Sequence, residues 1–269
     1  MIINGLQGDS INANDRGLMY GDGVFRTLRI RLGQPLFWPQ HYLKLQHDCA
    51  ALDIECPPYQ LLDSELMPLA ENCVDGIAKI IITRGAAYRG YAPSVNAPIT
   101  RIIAINSLPN YPDSYATLGI KAHICALRMG HQPRFAGIKH LNRLENVLAA
   151  AEWHDPKIAE GIMLDMDSNI VEGTRSNLFL LSDAKLYTPD LSRCGVAGLQ
   201  RDRVISYARQ QGIECKILDL QMADLLAADE VFIVNSVIGL WPVSEMPGFN
   251  RVNFPISLQI QEWLNNASN

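Results

Sequence analysis

The sequence predicts an α+β fold in two parts, and three observations carry that reading. Strand-like runs and helix-like stripes are mixed without strict βαβ alternation, which argues against a doubly wound parallel sheet. The stretch Ser107–Gly119, SLPNYPDSYATLG, holds two prolines and several turn formers and has no periodicity, so it divides the chain. The 269 residues, 48% hydrophobic, are enough for one large domain or two ordinary ones with real cores. The expected organisation is a small N-terminal α/β domain over 1–108, a linker over 109–119 and a larger, strand-rich C-terminal domain over 120–269.

The elements follow in order. Phe25–Arg31 reads as the first strand. After Pro39, the residues Tyr42, Leu45, Cys49 and Leu52 recur at spacings of three and four, which predicts a helix. Ile77–Arg84 and Arg101–Asn106 are the next strands, then Ile120–Leu127 beyond the boundary. Leu141, Leu144, Leu148 and Ala151 form a second helical stripe. Gly161–Leu164 and Asn177–Leu181 read as strands. A third helix is expected from about Leu199 to Gly212, where glycine is a good residue for the position just past a helix end. Glu214–Leu218 and Glu230–Val234 close the series of strands.

Composition excludes several classes. With 23 Lys+Arg against 28 Asp+Glu the net charge is −5, whereas a nucleic-acid binder usually carries a basic excess. No stretch approaches the roughly 20 apolar residues of a membrane span. The first residues, MIINGLQGDS, lack the basic and apolar regions of a signal peptide, so a cytoplasmic protein is expected. The six cysteines form no CxxC, so the sequence suggests neither a zinc site nor a redox pair. His41 and His47 are six apart, on different faces of a helix, and no metal site is expected.

Four segments carry the chemistry. In Phe135–Glu145, FAGIKHLNRLE, Lys139 follows an apolar stretch. Burial would favour its neutral amine, suited to Schiff-base chemistry and proton transfer, while the plainer reading is a lysine that reaches water along its own stem. In Asp165–Leu180, Glu172 lies just past a turn at Asp167–Asn169, either as a solvated strand-end charge or as a carboxylate that keeps a pyridinium nitrogen protonated. In Cys194–Ser206 the glycines Gly195 and Gly198 precede a helix start, a ready anion site but a common feature. In Val234–Pro242, Asn235 and Ser236 make either a turn or a second phosphate contact.

Together these segments resemble the fold-type IV pyridoxal-phosphate enzymes, a group that holds D-amino acid transaminases, branched-chain aminotransferases and 4-amino-4-deoxychorismate lyases. The resemblance begins at Asp15-Arg16-Gly17 and Tyr20-Gly21-Asp22-Gly23-Val24-Phe25. It runs on through His41, Lys44-Leu45, Thr83-Arg84-Gly85, Lys139, Glu172-Gly173, Asn177 and the Gly198 loop to Ser236. Two runs, Gly137-Ile138-Lys139-His140-Leu141-Asn142-Arg143 and Arg84-Gly85 with Arg89-Gly90-Tyr91, are most similar to the lyases.

The resemblance implies a two-domain fold and pyridoxal 5′-phosphate as cofactor. Lys139 is implied as the lysine that carries the cofactor and moves the proton, and Glu172 as the partner of the ring nitrogen. The backbone at Leu199 and Gln200, with Ser236 and Val237, is implied as the phosphate cradle. Lys44 stands where many members have a phosphate-binding arginine, which leaves a point charge in place of a fork. Phe25 stands where transaminases have tyrosine, which removes a hydroxyl. Arg89 and Tyr91 match substrate-carboxylate positions, often supplied by the neighbouring subunit, so a homodimer is expected, with no nucleic acid or membrane as partner. The implied reaction converts 4-amino-4-deoxychorismate to 4-aminobenzoate and pyruvate for folate synthesis. Its alternative is D-amino acid or branched-chain amino acid transamination. A non-catalytic binding module is a further alternative, disfavoured by Lys139 and Glu172 both being present. A nucleotide-dependent oxidoreductase lacks its G-x-G-x-x-G.

Overall fold

The computed structural model describes residues 1–87, 90–93 and 98–266. The chain forms two compact units. The first takes Met1–Pro109 and Ile138–Asn142, and the second takes Asn110–Gly137 and Arg143 onward. The expected linker therefore does not stand apart. Tyr111 and Tyr115 pack edge-on against Trp241, with ring centroids 4.9 and 5.1 Å away, so aromatic burial ties this segment into the second unit.

The first unit contains strands β1 (Ile2–Ile3), β2 (Leu6–Gln7), β3 (Gly23–Arg31), β4 (Gln34–Pro35), β5 (Asp75–Thr83) and β6 (Thr100–Asn106). Its helices are α1 (Arg16–Tyr20), α2 (Trp38–Ala51) and α3 (Tyr59–Glu71). The strands form an antiparallel sheet in the order β2-β1-β6-β5-β3-β4. Alternation sets its faces. Val24, Leu28 and Ile30 of β3 and Ala78, Ile80 and Ile82 of β5 are buried, with Leu45 and Cys49 of α2 and Leu62 and Leu66 of α3 in the same cluster. Phe25, Thr27, Lys79 and Ile81 alternate with these and are half-buried. Sequence reading passed over α3 because Pro68 interrupts its pattern.

The second unit contains strands β7 (Ile120–Met129), β8 (Ile158–Asp165), β9 (Ile170–Gly173), β10 (Asn177–Ser182), β11 (Lys185–Pro189), β12 (Cys215–Leu218), β13 (Glu230–Asn235), β14 (Gly239–Met246) and β15 (Phe249–Asn250). Its helices are α4 (Ser114–Thr117), α5 (Leu144–Ala150), α6 (Leu199–Gln210), α7 (Met222–Ala227) and α8 (Pro255–Asn266). The sheet runs β12-β11-β10-β13-β14-β7-β8-β9, with β15 beside β14. Its pairs are mixed: β10–β13–β14 are antiparallel, while β14–β7–β8 are parallel. One core holds Leu178, Leu180, Val231, Ile233 and Trp241; another holds Phe179, Phe232, Val234 and Leu240 with Val204 and Tyr207 of α6 and Ile260 of α8. The two sets alternate along β10 and β13, so this sheet is covered on both faces, and its strands read as continuous apolar runs.

One sequence expectation is corrected. The stripe Leu141, Leu144, Leu148 and Ala151 does not mark one helix, because α5 begins only at Leu144. Nor is it a core stripe: Leu144, Val147 and Leu148 are exposed, and Ala149 is the residue that α5 buries. Cys49 and Cys56, both free, influence each other's ionisation. The chain turns back after α2 through Asp53, at φ +52°, with the Ile54 N–H donating to the Cys49 carbonyl at 2.9 Å. A turn of this kind joins residues seven apart, which no CxxC count detects. Among the described residues, no helix is long and apolar enough to cross a membrane.

Candidate functional site

Lys139 lies in an extended segment that adds to the edge of β3. The Phe25 N–H donates to the Lys139 carbonyl and the Leu141 N–H to the Gly23 carbonyl, both at 2.9 Å, and His140 bridges Val24. Gly23 makes this approach possible: a Cβ there would lie 2.5 Å from the Ile82 carbonyl and 2.8 Å from the Leu141 side chain. Pairing sets Lys139 opposite Phe25, and its Nζ lies 4.7 Å from the Phe25 ring centroid. A second ammonium, that of Lys79 on β5, lies 5.0 Å from the same ring. The aromatic face attracts both cations. Lys79 was not singled out from sequence. Its signal was its phase, on the same face of the sheet as Phe25 across the Thr27–Lys79 pair.

Lys44 is half-buried on α2, and its carbonyl accepts from Arg26 at 3.2 Å. Asp48, one turn later, is fully buried and forms an ion pair with buried Arg26. The Lys139 backbone N–H also donates to Asp48, at 3.3 Å.

The opening motif is structural. Buried Asp15 accepts from the Gly17 N–H at 2.8 Å and from the Thr83 and Thr100 hydroxyls at 3.0 and 2.6 Å. Asp22 pairs with Arg16 at 2.8 Å and Arg84 at 2.9 Å. Burial alone would push its carboxyl up, but the hydrogen bonds and charges of Arg84 and Arg16 outweigh this and hold it below the usual carboxylate range. Arg16 also donates to the Gly90 and Tyr91 carbonyls at 2.8 and 2.7 Å. The Tyr91 ring is 85% exposed and packs on Tyr20. Arg89 lies outside the described residues.

In the second unit, Glu172 on β9 is buried, and its Oε2 accepts from the Val196 N–H at 2.8 Å. Gly195, at φ +85°, lets this loop pass close: a Cβ there would lie 2.7 Å from Val171 and 3.5 Å from Glu172 Oε2. Asn177 holds both sides of the next turn, donating to the Val196 carbonyl at 2.7 Å and accepting from the Gly198 N–H at 3.0 Å. Leu199 and Gln200 then open α6, both buried. The first-turn N–H groups of a helix have no intrahelical acceptor, so this end attracts an anion. Gly137 pairs with the same loop, its N–H donating to the Gly195 carbonyl at 2.9 Å and its carbonyl accepting from Ala197 at 3.0 Å. Buried Glu160, also missed from sequence, orders the 173–176 turn through the Thr174 and Ser176 hydroxyls.

Ser236 and Val237 follow β13, which pairs with β10 at Val234–Asn177. Asn235 Oδ1 accepts from the Val237 and Ile238 N–H groups at 2.8 and 2.9 Å. The Asn235 side chain thus orders the turn that carries Ser236 and Val237. Elsewhere, His131, Asp165 and Asp167 bring ligand-type atoms within 4.8 Å of one another. Asp165 there accepts from the Asp167 N–H and from the Asn169 N–H and Nδ2, with Arg193 3.8 Å away, so this is a hydrogen-bonded turn.

Comparison with known proteins gives the family. Residues 23–246 match the family described as amino-transferase class IV. The chain is 36% identical over 257 residues to an aminodeoxychorismate lyase of Vibrio harveyi, covering 94% of each chain. It is 31% identical to a putative branched-chain-amino-acid aminotransferase of Methanocaldococcus jannaschii, covering 88% of this chain and 83% of the other. The crystal structure of 4-amino-4-deoxychorismate lyase from Pseudomonas aeruginosa superimposes with a TM-score of 0.94 at 41% identity, covering 98% of each chain. With these matches over nearly its whole length, the chain belongs to the amino-transferase class IV family.

Proposed function

We propose that this chain is a pyridoxal-phosphate-dependent lyase that converts 4-amino-4-deoxychorismate to 4-aminobenzoate and pyruvate. The observation that carries this choice is the near-full-length similarity to the lyases of Vibrio harveyi and Pseudomonas aeruginosa. The donor set fits the cofactor. It supplies a primary amine at Lys139, a buried carboxylate at Glu172, and an anion-binding helix end at Leu199 and Gln200 with the Ser236 hydroxyl nearby in the chain's topology. A glycine stands at 195, where a side chain would clash with Val171 and Leu191 beneath this loop. Lys44 adds a point charge for the phosphate.

The bound cofactor supplies an electron sink for the pair released when the substrate C–H bond breaks. Lys139 is the residue that would hold the cofactor, and its amine would take the proton from the substrate carbon that bears nitrogen. The enolpyruvyl C–O bond then breaks, the ring becomes aromatic, and Lys139 returns the proton to the departing three-carbon fragment, which leaves as pyruvate. Glu172 is the buried carboxylate that would face the cofactor's ring nitrogen and favour its protonated form. The substrate carries two carboxylates, and Lys79 Nζ beside the Phe25 ring is a partner for one, with Arg89 and Tyr91 for the other. Phe25 presents a ring without a hydroxyl.

The exposed apolar stripe Leu144, Val147 and Leu148 on α5 supports a homodimer. The product serves folate synthesis, a cytoplasmic task. The test is product analysis with purified protein and 4-amino-4-deoxychorismate. Formation of 4-aminobenzoate and pyruvate without amino transfer to a 2-oxo acid is expected. The similarity to the archaeal aminotransferase supports a second reading, transamination of D- or branched-chain amino acids. Rapid half-transamination of such an amino acid, with no 4-aminobenzoate formed, establishes that reading in place of the first.

A further inference from the structure

Arg26 occupies an unusual position. Along β3 the residues Val24, Leu28 and Ile30 face the core, and Arg26 shares their phase with only 2% exposure. Its guanidinium meets Asp48 of α2, itself fully buried, and donates to the Lys44 carbonyl at 3.2 Å. An ion pair at a core position is a poor source of stability, since desolvation offsets most of the attraction, and apolar residues of similar volume pack there at least as well. Its use must be sought in what it holds.

Asp48 holds the backbone of Lys139: its Oδ2 accepts from the Lys139 N–H at 3.3 Å. On the other side of the same residue, the Phe25 N–H fixes the Lys139 carbonyl at 2.9 Å. The amine itself lies over the Phe25 ring. Lys139 is thus fixed at its N–H, its carbonyl and its Nζ, and Arg26, one residue from Phe25, orients the carboxylate that holds the first of these. A reacting group gains from such support because small displacements are costly in rate.

We propose that the buried Arg26–Asp48 pair is a positioning device for Lys139, acting through the Asp48 carboxylate on the Lys139 backbone N–H. This rests on the reading of Lys139 as the cofactor-carrying lysine. Asp48 is a positioning residue that touches neither substrate nor cofactor.

Two neutral double variants of the holoenzyme separate positioning from packing. R26Q/D48N keeps an acceptor at position 48, while R26M/D48L fills the space without one. Borohydride reduction and peptide mass mapping first establish whether the wild-type cofactor is fixed to Lys139. The pH titration of the bound cofactor's absorbance band is then compared among the three proteins, together with amide hydrogen exchange at Lys139. The proposal expects a wild-type Lys139 amide that exchanges at least 100-fold more slowly than a free amide. It expects R26M/D48L to shift the absorbance midpoint by half a pH unit or more and to speed that exchange at least tenfold, and R26Q/D48N to stay near wild type in both. Cofactor on Lys139 with unchanged titration and exchange in R26M/D48L overturns the proposal alone, as does an R26Q/D48N variant as altered as R26M/D48L. If R26M/D48L fails to fold, fast exchange of the wild-type Lys139 amide still overturns it. Absence of cofactor from wild-type Lys139 overturns the functional reading and the proposal with it.

Discussion

Lys139 and Phe25 are direct neighbours across an antiparallel pairing, joined by a 2.9 Å backbone hydrogen bond and by the 4.7 Å approach of the Lys139 ammonium to the ring. Replacing Lys139 by alanine removes the amine and leaves that backbone bond intact. Turnover of 4-amino-4-deoxychorismate should fall by at least about 10³-fold, in line with the loss of a proton-transfer group, while the circular-dichroism melt stays near wild type. Phe25→Leu removes the aromatic face, a contact of about 0.5–1 kcal/mol, and should slow turnover roughly two- to fivefold. Activity of Lys139→Ala within tenfold of wild type contradicts the assignment.

Glu172 and Val196 make the second test. Glu172→Gln keeps an acceptor for the Val196 N–H, so stability should hold while turnover falls by about 10²-fold, because the charge proposed to face the ring nitrogen is lost. Glu172→Ala leaves a buried N–H unpaired, at a cost of about 1–3 kcal/mol, and should lower the Tm. Parallel stopped-flow and melting measurements distinguish the two losses. Unchanged turnover in Glu172→Gln makes the residue structural.

Asp22 gives a pH prediction. Its carboxyl is held below the ordinary range by Arg84 and Arg16, which overcome the opposing effect of burial. A lowered folded value means that its contribution to stability is complete above the unfolded value, about 3.9, and is lost as pH falls through the lower folded value. Asp22→Asn should therefore be less stable than wild type at pH 6, and the gap should shrink as pH falls below about 3.9. Denaturant melts from pH 2.5 to 6 measure this; a gap constant over that range refutes it.

The Cys49–Cys56 pair gives a reactivity prediction. The Cys49 side chain lowers the Cys56 thiol against burial, while Cys56 and burial push Cys49 up. Cys125 and Cys194 are pushed up to about 12, first by burial. Limited iodoacetamide at pH 7.5 should label Cys56 before these three, and Cys56→Ser should remove the fast phase, as read by peptide mapping. Equal labelling of Cys49 and Cys56 argues against this order.

Much of this architecture is legible in the sequence, for a physical reason. Strands such as β3, β5 and β10 are long enough to show their alternation or their continuous apolar run. The strand β14 is hidden because Gly239 and Pro242 look like turn residues. The short β9 and β11 carry too few residues to show a pattern. Lys139 and Glu172 stand out because each is a charge beside an apolar run. Arg26 and Asp48 do not, since their meaning lies in a pairing across 22 residues, visible only once β3 and α2 pack. A charge at a core-phase position of β3 was the available signal. The turn at Asn235 is a different case: its order comes from Asn235 Oδ1 accepting from Val237 and Ile238, a local pattern that sequence alone does not distinguish from other turns.

The Arg26–Asp48 pair also constrains how the sequence can drift. Losing either partner alone strands a buried charge, a step that costs about 3–5 kcal/mol, a large fraction of a typical domain's margin. Replacing both together by apolar residues of similar volume avoids that stranded charge. Positions 26 and 48 therefore form one heritable unit, and lineages that abandon it must pass through a destabilised intermediate or change both residues at once. The pair should thus be inherited whole or absent whole, a pattern set by electrostatics before selection on activity begins.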